Sequence, residues 1–296
     1  MSRNKPPLIF GEVLFDCFPG GERRLGGAPF NVAWHLQAFG KQPRFISRIG
    51  NDELGSQIIH AMQQSEMDQR TIQTDDKHPT GTVQIAITNN EPSYTITPNV
   101  AYDFIEPYSF EKKSNADKPD QTSLLYHGTL ALRHKVSQET LRDIVKQIQP
   151  SIFLDVNLRT PWWKLDDVMF YLKQARWAKL NQEELYLLQQ NSGDLATTMA
   201  HLQQHCDLEL LIVTLGSEGA ITRNKSGGIH RIKPSSASKF VDAVGAGDAF
   251  TAVYLHGLLS NWPISLILER AQQFAVEIVG IRGAIPQHNS FYSKFS

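Results

Sequence analysis

Cysteine is nearly absent: Cys17 and Cys206 stand far apart with no C-x-x-C spacing. That excludes a disulfide framework and a structural zinc site, and it makes a reducing compartment, the cytoplasm, the expected location. A surplus of charge is absent too. Against 30 acidic residues stand 29 basic ones, for a formal net charge of −1, so no nucleic-acid or anionic-lipid partner is expected. No apolar run approaches the length of a membrane span, and MSRNKPPLIFGEVLFD holds too few apolar residues before Glu12 and Asp16 to read as a signal peptide. Three common motifs are missing as well. There is no GxxxxGK[ST] phosphate loop, no GxSxG nucleophile elbow and no complete GxGxxG fingerprint, since position 250 is Phe. A nicotinamide-dependent oxidoreductase on a similar sheet is disfavoured for that last reason.

What the chain does contain is alternation. The 41% of hydrophobic residues is enough for a sizeable core. Leu8–Phe10, Arg44–Gly50, Leu124–Gly128, Ser151–Val156 and Leu210–Gly216 read as short buried strands. Between them Asn31–Phe39, Glu53–Met67, Gln138–Gln149, Val168–Ala178 and Leu195–His205 carry apolar residues at three- and four-residue steps, the helical period. Such βα alternation predicts an α/β fold: a Rossmann-like, mostly parallel sheet with helices on both faces, here as a single domain over 1–296. Two stretches break the rhythm. Thr80–Tyr102 alternates apolar and polar residues around Asn89-Asn90-Glu91, as a hairpin would, and FDCFPGGERRL at 15–25 is a strand-turn candidate. Together, residues of about 15–25 and 80–102 are expected to form a small β-sheet lid. The polar stretch Ser109–Ser123 reads as a solvated loop.

In VDAVGAGDAF, Val241–Phe250, a carboxylate follows two glycines and precedes an apolar helical run. A helix N-terminus there offers unpaired N–H groups and a positive dipole end, which suit an anion. Gly245, Ala246 and Gly247 let that anion approach the backbone. If the anion is a phosphoryl group in transfer, Asp248 is placed to accept the proton of the attacking hydroxyl. The plain alternative is that Asp248 only caps its helix.

The motif DAVGAGDAF resembles the C-terminal signature of the ribokinase-like sugar kinases, the PfkB family, in which the final aspartate is the catalytic base. GGAPFNVAWHLQAFG, Gly26–Gly40, resembles the N-terminal signature, and GEVLFD resembles the family's opening strand with its sugar-binding aspartate. DVNLRTPWW, Asp155–Trp163, resembles the DPNLR segment of bacterial fructokinases, with Val156 in place of the usual proline. NQEE, Asn181–Glu184, is similar to the NxxE motif, and TLGSEG, Thr214–Gly219, to the nucleotide segment TxGxxG.

The resemblance implies a ribokinase-like fold and a role for each motif. Asp248, with Gly245, Ala246, Gly247 and Arg159, would carry out the transfer. Asp16, Gly26, Gly27 and Asn31 would bind the sugar, and Asn181, Glu184, Thr214, Gly216 and Gly219 would border ATP. Glu184 would reach Mg²⁺ through water, and Asp242 with the segment Ile278–Gln287 would serve a potassium ion. Gln272 and Gln273 would lie near adenine. Bland alternatives stand beside these: helix caps for Asn31 and for the Asn181/Glu184 pair, turn residues for Asp16 and the glycines, a surface salt bridge for Arg159. His201 and His205 have zinc-pair spacing but no third ligand, and Trp162-Trp163 suit packing as well as stacking. The reading that results is an ATP-dependent sugar kinase acting on a primary hydroxyl of a monosaccharide, with fructose favoured by GEVLFD, GGAPFNVA, GTLALR and DVNLR. Ribose, 2-keto-3-deoxygluconate, a nucleoside or a sugar phosphate are other acceptors for the same fold. A sugar-sensing protein without activity is the rival class, and a homodimer through the lid is a further expectation.

Overall fold

Along a strand successive side chains leave the backbone on opposite sides, and in the short apolar runs of this chain both sides are covered. The structure, a computed structural model, describes residues 6–88, 91–107, 124–190, 193–233, 241–242, 244–286 and 289–295. Its strands are β1 (Leu8–Phe10), β2 (Leu14–Cys17), β3 (Arg23–Gly26), β4 (Arg44–Gly50), β5 (Ile72–Asp75), β6 (Gly81–Thr88) and β7 (Glu91–Ile96). They continue with β8 (Leu124–His127), β9 (Ser151–Asp155), β10 (Trp177–Asn181), β11 (Leu210–Thr214), β12 (Ala220–Asn224) and β13 (Ile229–Ile232). The helices are α1 (Ala28–Ala38), α2 (Glu53–Gln64), α3 (Lys135–Ile148), α4 (Leu165–Leu172), α5 (Gln182–Gln189), α6 (Leu195–Cys206), α7 (Ala246–Leu259) and α8 (Ile264–Val279).

The main sheet runs β13-β12-β11-β10-β9-β8-β1-β4-β5. Every pairing from β11 to β5 is parallel, and the hairpin β12–β13 closes one edge antiparallel. Strand parity sorts the core. Ile9, Phe45, Tyr126, Phe153 and Ile212 pack on one face with residues of α1, α2, α7 and α8. Their neighbours Leu8, Phe10, Ile46, Leu125, Ile152, Leu154, Leu211 and Val213 pack on the other with α3, α4, α5 and α6. This is an α/β architecture with a mostly parallel sheet between two helical layers, as the resemblance implies.

A second sheet, β3-β2-β6-β7, stands apart from the first. Its pairings are antiparallel except for the central β2–β6 pair, which is parallel because the two strands come from separate hairpins. Leu14 and Val83 tie it to Tyr102, Leu130 and Ala131 of the main body. Strands β2 and β3 fall within or beside the expected 15–25 stretch, and β6 and β7 take up 81–96 of the expected 80–102 stretch, whose end, Ala101–Tyr102, is a 3₁₀ turn packed in the main body; Asn89, Asn90 and the polar stretch 109–123 lie outside the described residues.

Several helix boundaries differ from the periodicity: α2 ends at Gln64 rather than Met67, and α3 begins at Lys135 rather than Gln138. The first helix begins at Ala28, three residues ahead of Asn31, because Gly27 adopts φ 105° and Pro29 supplies the fixed φ of a first turn. The expected helix 168–178 ends at Leu172, and β10 begins at Trp177. No glycine or proline marks that break, and a five-residue strand buried at its centre is too short for its period to distinguish it from a helical continuation.

Helix α7 is buried from Ala249 to Gly257, enclosed by α1, α8 and the sheet, as a helix apolar on all sides must be. Gly257 allows a close approach to α8: a Cβ there would lie 2.6 Å from Ile267 Cγ1 and 3.0 Å from Trp262 Cε3. Gly257→Val should therefore cost roughly 1–3 kcal/mol by overpacking, read as a lower urea midpoint. An unchanged midpoint would mean that α8 moves aside without loss.

Candidate active site

Parallel strands bring their carboxyl ends to one edge of the sheet, the place where α/β proteins bind ligands. At that edge lie the turn after β1, the 155–159 segment after β9, Asn181 at the end of β10 and Thr214 at the end of β11. Helices α1 and α7 pack side by side and both begin there. Each starts at a positive-φ glycine with no side-chain cap, Gly27 at 105° and Gly245 at 80°. Both glycines are also required by close approach. A Cβ on Gly27 would lie 2.7 Å from the Glu12 carbonyl oxygen, and one on Gly245 would lie 2.3 Å from Ala284 Cβ.

The side chains of the two signatures meet directly. Asn31 Nδ2, from α1, donates to Asp248 Oδ2, in the first turn of α7, at 2.8 Å. Neither residue is the N-cap of its helix; those positions belong to Gly27 and Gly245. Asn31 is buried, and its Oδ1 has no hydrogen-bond partner. Burial of the Asp248 carboxyl raises its pKa, opposed by the Asn31 hydrogen bond and by the Lys179 and Arg159 charges, while Asp155 adds to the rise.

Other carboxylates crowd the same place. Asp16 on β2 is pushed up to about 6 by burial, in spite of Arg159 and Arg24, with Asp242 and Asp248 contributing. A Cβ on Gly26 would lie 3.4 Å from its Oδ2. Glu12, in the turn after β1, is pushed up to about 7 by burial, tempered by its own backbone N–H and by Arg159. The Arg159 guanidinium thus acts on Glu12, Asp16 and Asp248 together, from an exposed position on the loop after β9.

Beneath the glycine turn lies a buried ion pair that sequence reasoning missed. Lys179 and Asp155 are register partners on β10 and β9, and Lys179 Nζ donates to both carboxylate oxygens at 2.9 Å. Thr251 of α7 donates to Asp155 Oδ2 at 2.9 Å and also to the Gly247 carbonyl at 2.9 Å. Burial alone would lower the Lys179 pKa, but the Asp155 carboxylate outweighs it and holds the ammonium charged. A Cβ on Gly247 would stand 3.6 Å from Lys179 Nζ, so a fixed positive charge lies just under the N-terminus of α7. The available signal was a lysine inside the apolar run WAKLN.

The NQEE and TLGSEG motifs are neighbours as well. Asn181 and Thr214 are register partners on β10 and β11. Asn181 and Glu184 form a reciprocal capping box: Asn181 Oδ1 accepts from the Glu184 N–H, and Glu184 Oε2 accepts from the Asn181 N–H, both at 2.8 Å. Glu184 Oε1 accepts from the Leu158 N–H at 2.7 Å and so ties α5 to the Arg159 loop. Burial raises the Glu184 pKa, opposed by the Asn181 N–H and by Lys179. Gly216 and Gly219 flank a single 3₁₀ turn with φ 57° and 97°, and a Cβ on Gly216 would meet nothing. There the backbone conformation, rather than space, calls for glycine.

Asp242 is held by other groups. Its Oδ2 accepts from Arg24 Nη1 at 3.4 Å and from the Gly283 N–H at 3.3 Å, and its Oδ1 from the Val244 N–H at 3.0 Å. It therefore joins the small sheet, the glycine turn and the segment after α8; Gln287 lies outside the described residues. Gln272 is buried in α8, whereas Gln273 is exposed and donates to Glu269. His201 and His205 lie exposed on α6, and Trp162 packs under the Arg133 guanidinium, 4.5 Å from ring centroid to Cζ. Both cysteines are free thiols, and among the described residues no helix is long and apolar enough to cross a membrane.

Comparison with known proteins agrees with this arrangement. The chain is 29% identical over 271 residues to the fructokinase of Salmonella typhimurium, covering 87% of this chain and 86% of that one. It superposes with a TM-score of 0.82 on a double-mutant fructokinase from Vibrio cholerae O395 holding fructose, ADP and a potassium ion, at 21% identity over 99% of this chain and 98% of the other. The aminoimidazole riboside kinase of Salmonella enterica, solved with aminoimidazole riboside and an ATP analogue, superposes with a TM-score of 0.81 at 21% identity, over 99% of this chain and all (100%) of that one. The model of the pfkB family carbohydrate kinases matches residues 18–289, and the chain that joins Asn31 to Asp248 across two glycine-started helices belongs to that family, an ATP-dependent carbohydrate kinase.

Proposed function

We propose that this kinase phosphorylates a primary hydroxyl of fructose, with Asp248 as the general base. The observation that carries the reading is the Asn31–Asp248 hydrogen bond, because it places the sugar-side motif in contact with the carboxylate at the start of α7. Asp16 and Asn31 hold the sugar, and Asp248 accepts the proton of the attacking hydroxyl. The hydroxyl oxygen forms a bond to the γ-phosphorus as the bond from that phosphorus to the β,γ-bridging oxygen breaks, and ADP leaves with the electron pair. The N–H groups of Ala246, Gly247 and Asp248, the Lys179 ammonium below them and the Arg159 guanidinium face the charge of the transferring group. The likeness to Salmonella typhimurium fructokinase over most of both chains favours fructose as acceptor.

The nucleotide is assigned to the edge formed by Asn181, Thr214, Gly216 and Gly219. Magnesium, when bound with it, supplies charge neutralisation at the phosphate oxygens. Both Glu184 oxygens already accept backbone N–H groups, so Glu184 suits contact through the ion's water shell better than direct ligation. A potassium ion beside Asp242 would steady the glycine turn; the Vibrio cholerae relative contains one. The small sheet serves as a lid: Asp16 of β2 and Arg24 of β3 belong to it and face the site. Its outer strands β3 and β7 are also the edges through which a dimer would pair.

An ADP-release assay with fructose, ribose, 2-keto-3-deoxygluconate and aminoimidazole riboside tests the acceptor, and fructose is expected to give the highest kcat/KM. A higher value for another sugar would overturn fructose and leave the base in place. Asp248→Asn tests the base. Asparagine keeps the size and helix-start preference of aspartate, so a merely structural carboxylate predicts little change, whereas a base predicts a loss in kcat of about 100-fold or more with ATP affinity retained. Near-normal turnover would remove Asp248 from the chemistry.

A further inference from the structure

Glu12 has no part in the steps above, yet it occupies the turn between β1 and the small sheet, against the start of α1. It is 3% exposed, and its Oε2 has no hydrogen-bond partner. Two other buried oxygens without a partner lie in the same region: Asn31 Oδ1 and the Tyr102 hydroxyl. The Glu12 charge acts on the Tyr102 and Tyr126 phenols and on Asp248, Arg159 and Arg133. Buried polar atoms are almost always paired, so a group of unpaired ones beside Asp248 marks where hydroxyl groups from outside the chain belong.

We infer that Glu12 is a specificity-determining residue of the acceptor site, its Oε2 and Asn31 Oδ1 taking hydroxyls of a neutral polyol and turning away acceptors that bear a carboxylate or phosphate. The inference rests on the sugar-site reading above. A hydroxyl both donates and accepts, so it pairs with Glu12 whether or not the side chain carries its proton. An anionic group would instead meet a side chain that is ionised in part of the population near neutral pH, with Asp16 and Asp248 close by. Like charges so placed disfavour each other strongly where water is excluded. Of the cations that act on Glu12, Arg133 directs Nε and Nη2 at the Asp103 carboxylate and Nη2 also at the Thr97 carbonyl, at 2.6–2.8 Å, which leaves its Nη1 without a partner. Arg159 stands exposed at the rim.

The test compares the purified full-length protein with Glu12→Gln and with Glu12→Met, which keeps the length without a polar tip. Steady-state kcat and KM are measured for ATP, for the neutral sugar that the wild type uses best, and for 2-keto-3-deoxygluconate and fructose 6-phosphate. Circular dichroism confirms the fold of each variant. Glu12→Gln is expected to raise the neutral sugar's KM about tenfold while the KM for ATP stays within about twofold, and to narrow the gap between neutral and anionic acceptors. Glu12→Met should raise the sugar KM further. Unchanged sugar KM and unchanged ranking in a folded variant would overturn the inference, as would a wild-type preference for either anionic acceptor. A wild type that prefers ribose to fructose would sink the fructose reading alone, because the Glu12 comparison then runs on ribose.

Discussion

One hydrogen bond, from Asn31 Nδ2 to Asp248 Oδ2, is the contact on which the rest of the site depends. It joins residues 217 positions apart in sequence, and it requires α1 and α7 to lie side by side with their first turns level. The glycines at their starts make that possible. A side chain at Gly27 would collide with the backbone of Glu12 and Val13, and one at Gly245 with Ala284. The two signatures are therefore geometric statements as much as chemical ones. Their glycines let two helix ends approach a common point, and their polar residues, Asn31 and Asp248, meet there.

Charge is the second constraint. Glu12, Asp16 and Asp248 all have carboxyls raised by burial, and such groups keep protons that a solvated carboxylate would lose. The site remains tenable because Lys179 is fixed beneath it by Asp155 and Arg159 stands at its rim. The sign of the linkage follows. A carboxyl with a raised native pKa binds more protons folded than unfolded, so Glu12 costs stability as pH rises from its unfolded value of 4.5 through about 7. A site that is poorer in stability at working pH but able to accept a proton suits a base better than a structural cap.

Much of this was legible in the sequence, for identifiable reasons. The βα alternation follows from parity and period, which local apolar runs record faithfully; the hairpin at 80–102 and the turn at 15–25 were visible because one face of each is polar. The glycine-flanked Asp248 and the GGAPFN start were readable because backbone conformation leaves its mark on residue choice. The boundary between α4 and β10 was not, because Lys173-Gln174-Ala175-Arg176 contains no breaker. Lys179 was missed with it, since its pairing with Asp155 exists only through strand register. Glu12 was read as a marker in GEVLFD, and only burial reveals its unpaired oxygen. The resemblance points to Asp242, while its engagement with Arg24, Val244 and Gly283 depends on three separate segments folding together.

The most direct test of the Asn31–Asp248 contact is the pH dependence of kcat, at saturating sugar and ATP, in the wild type and in Asn31→Leu. The wild-type acid limb should lie above the ordinary aspartate range of about 3.9, because burial raises Asp248. The asparagine amide stabilises the ionised carboxylate, so its removal should raise the Asp248 pKa and shift the limb toward neutral pH by roughly one unit or more, the worth of a hydrogen bond to a charged group. A limb that does not move in Asn31→Leu would contradict the account, because it would separate the proposed proton acceptor from its contact with Asn31.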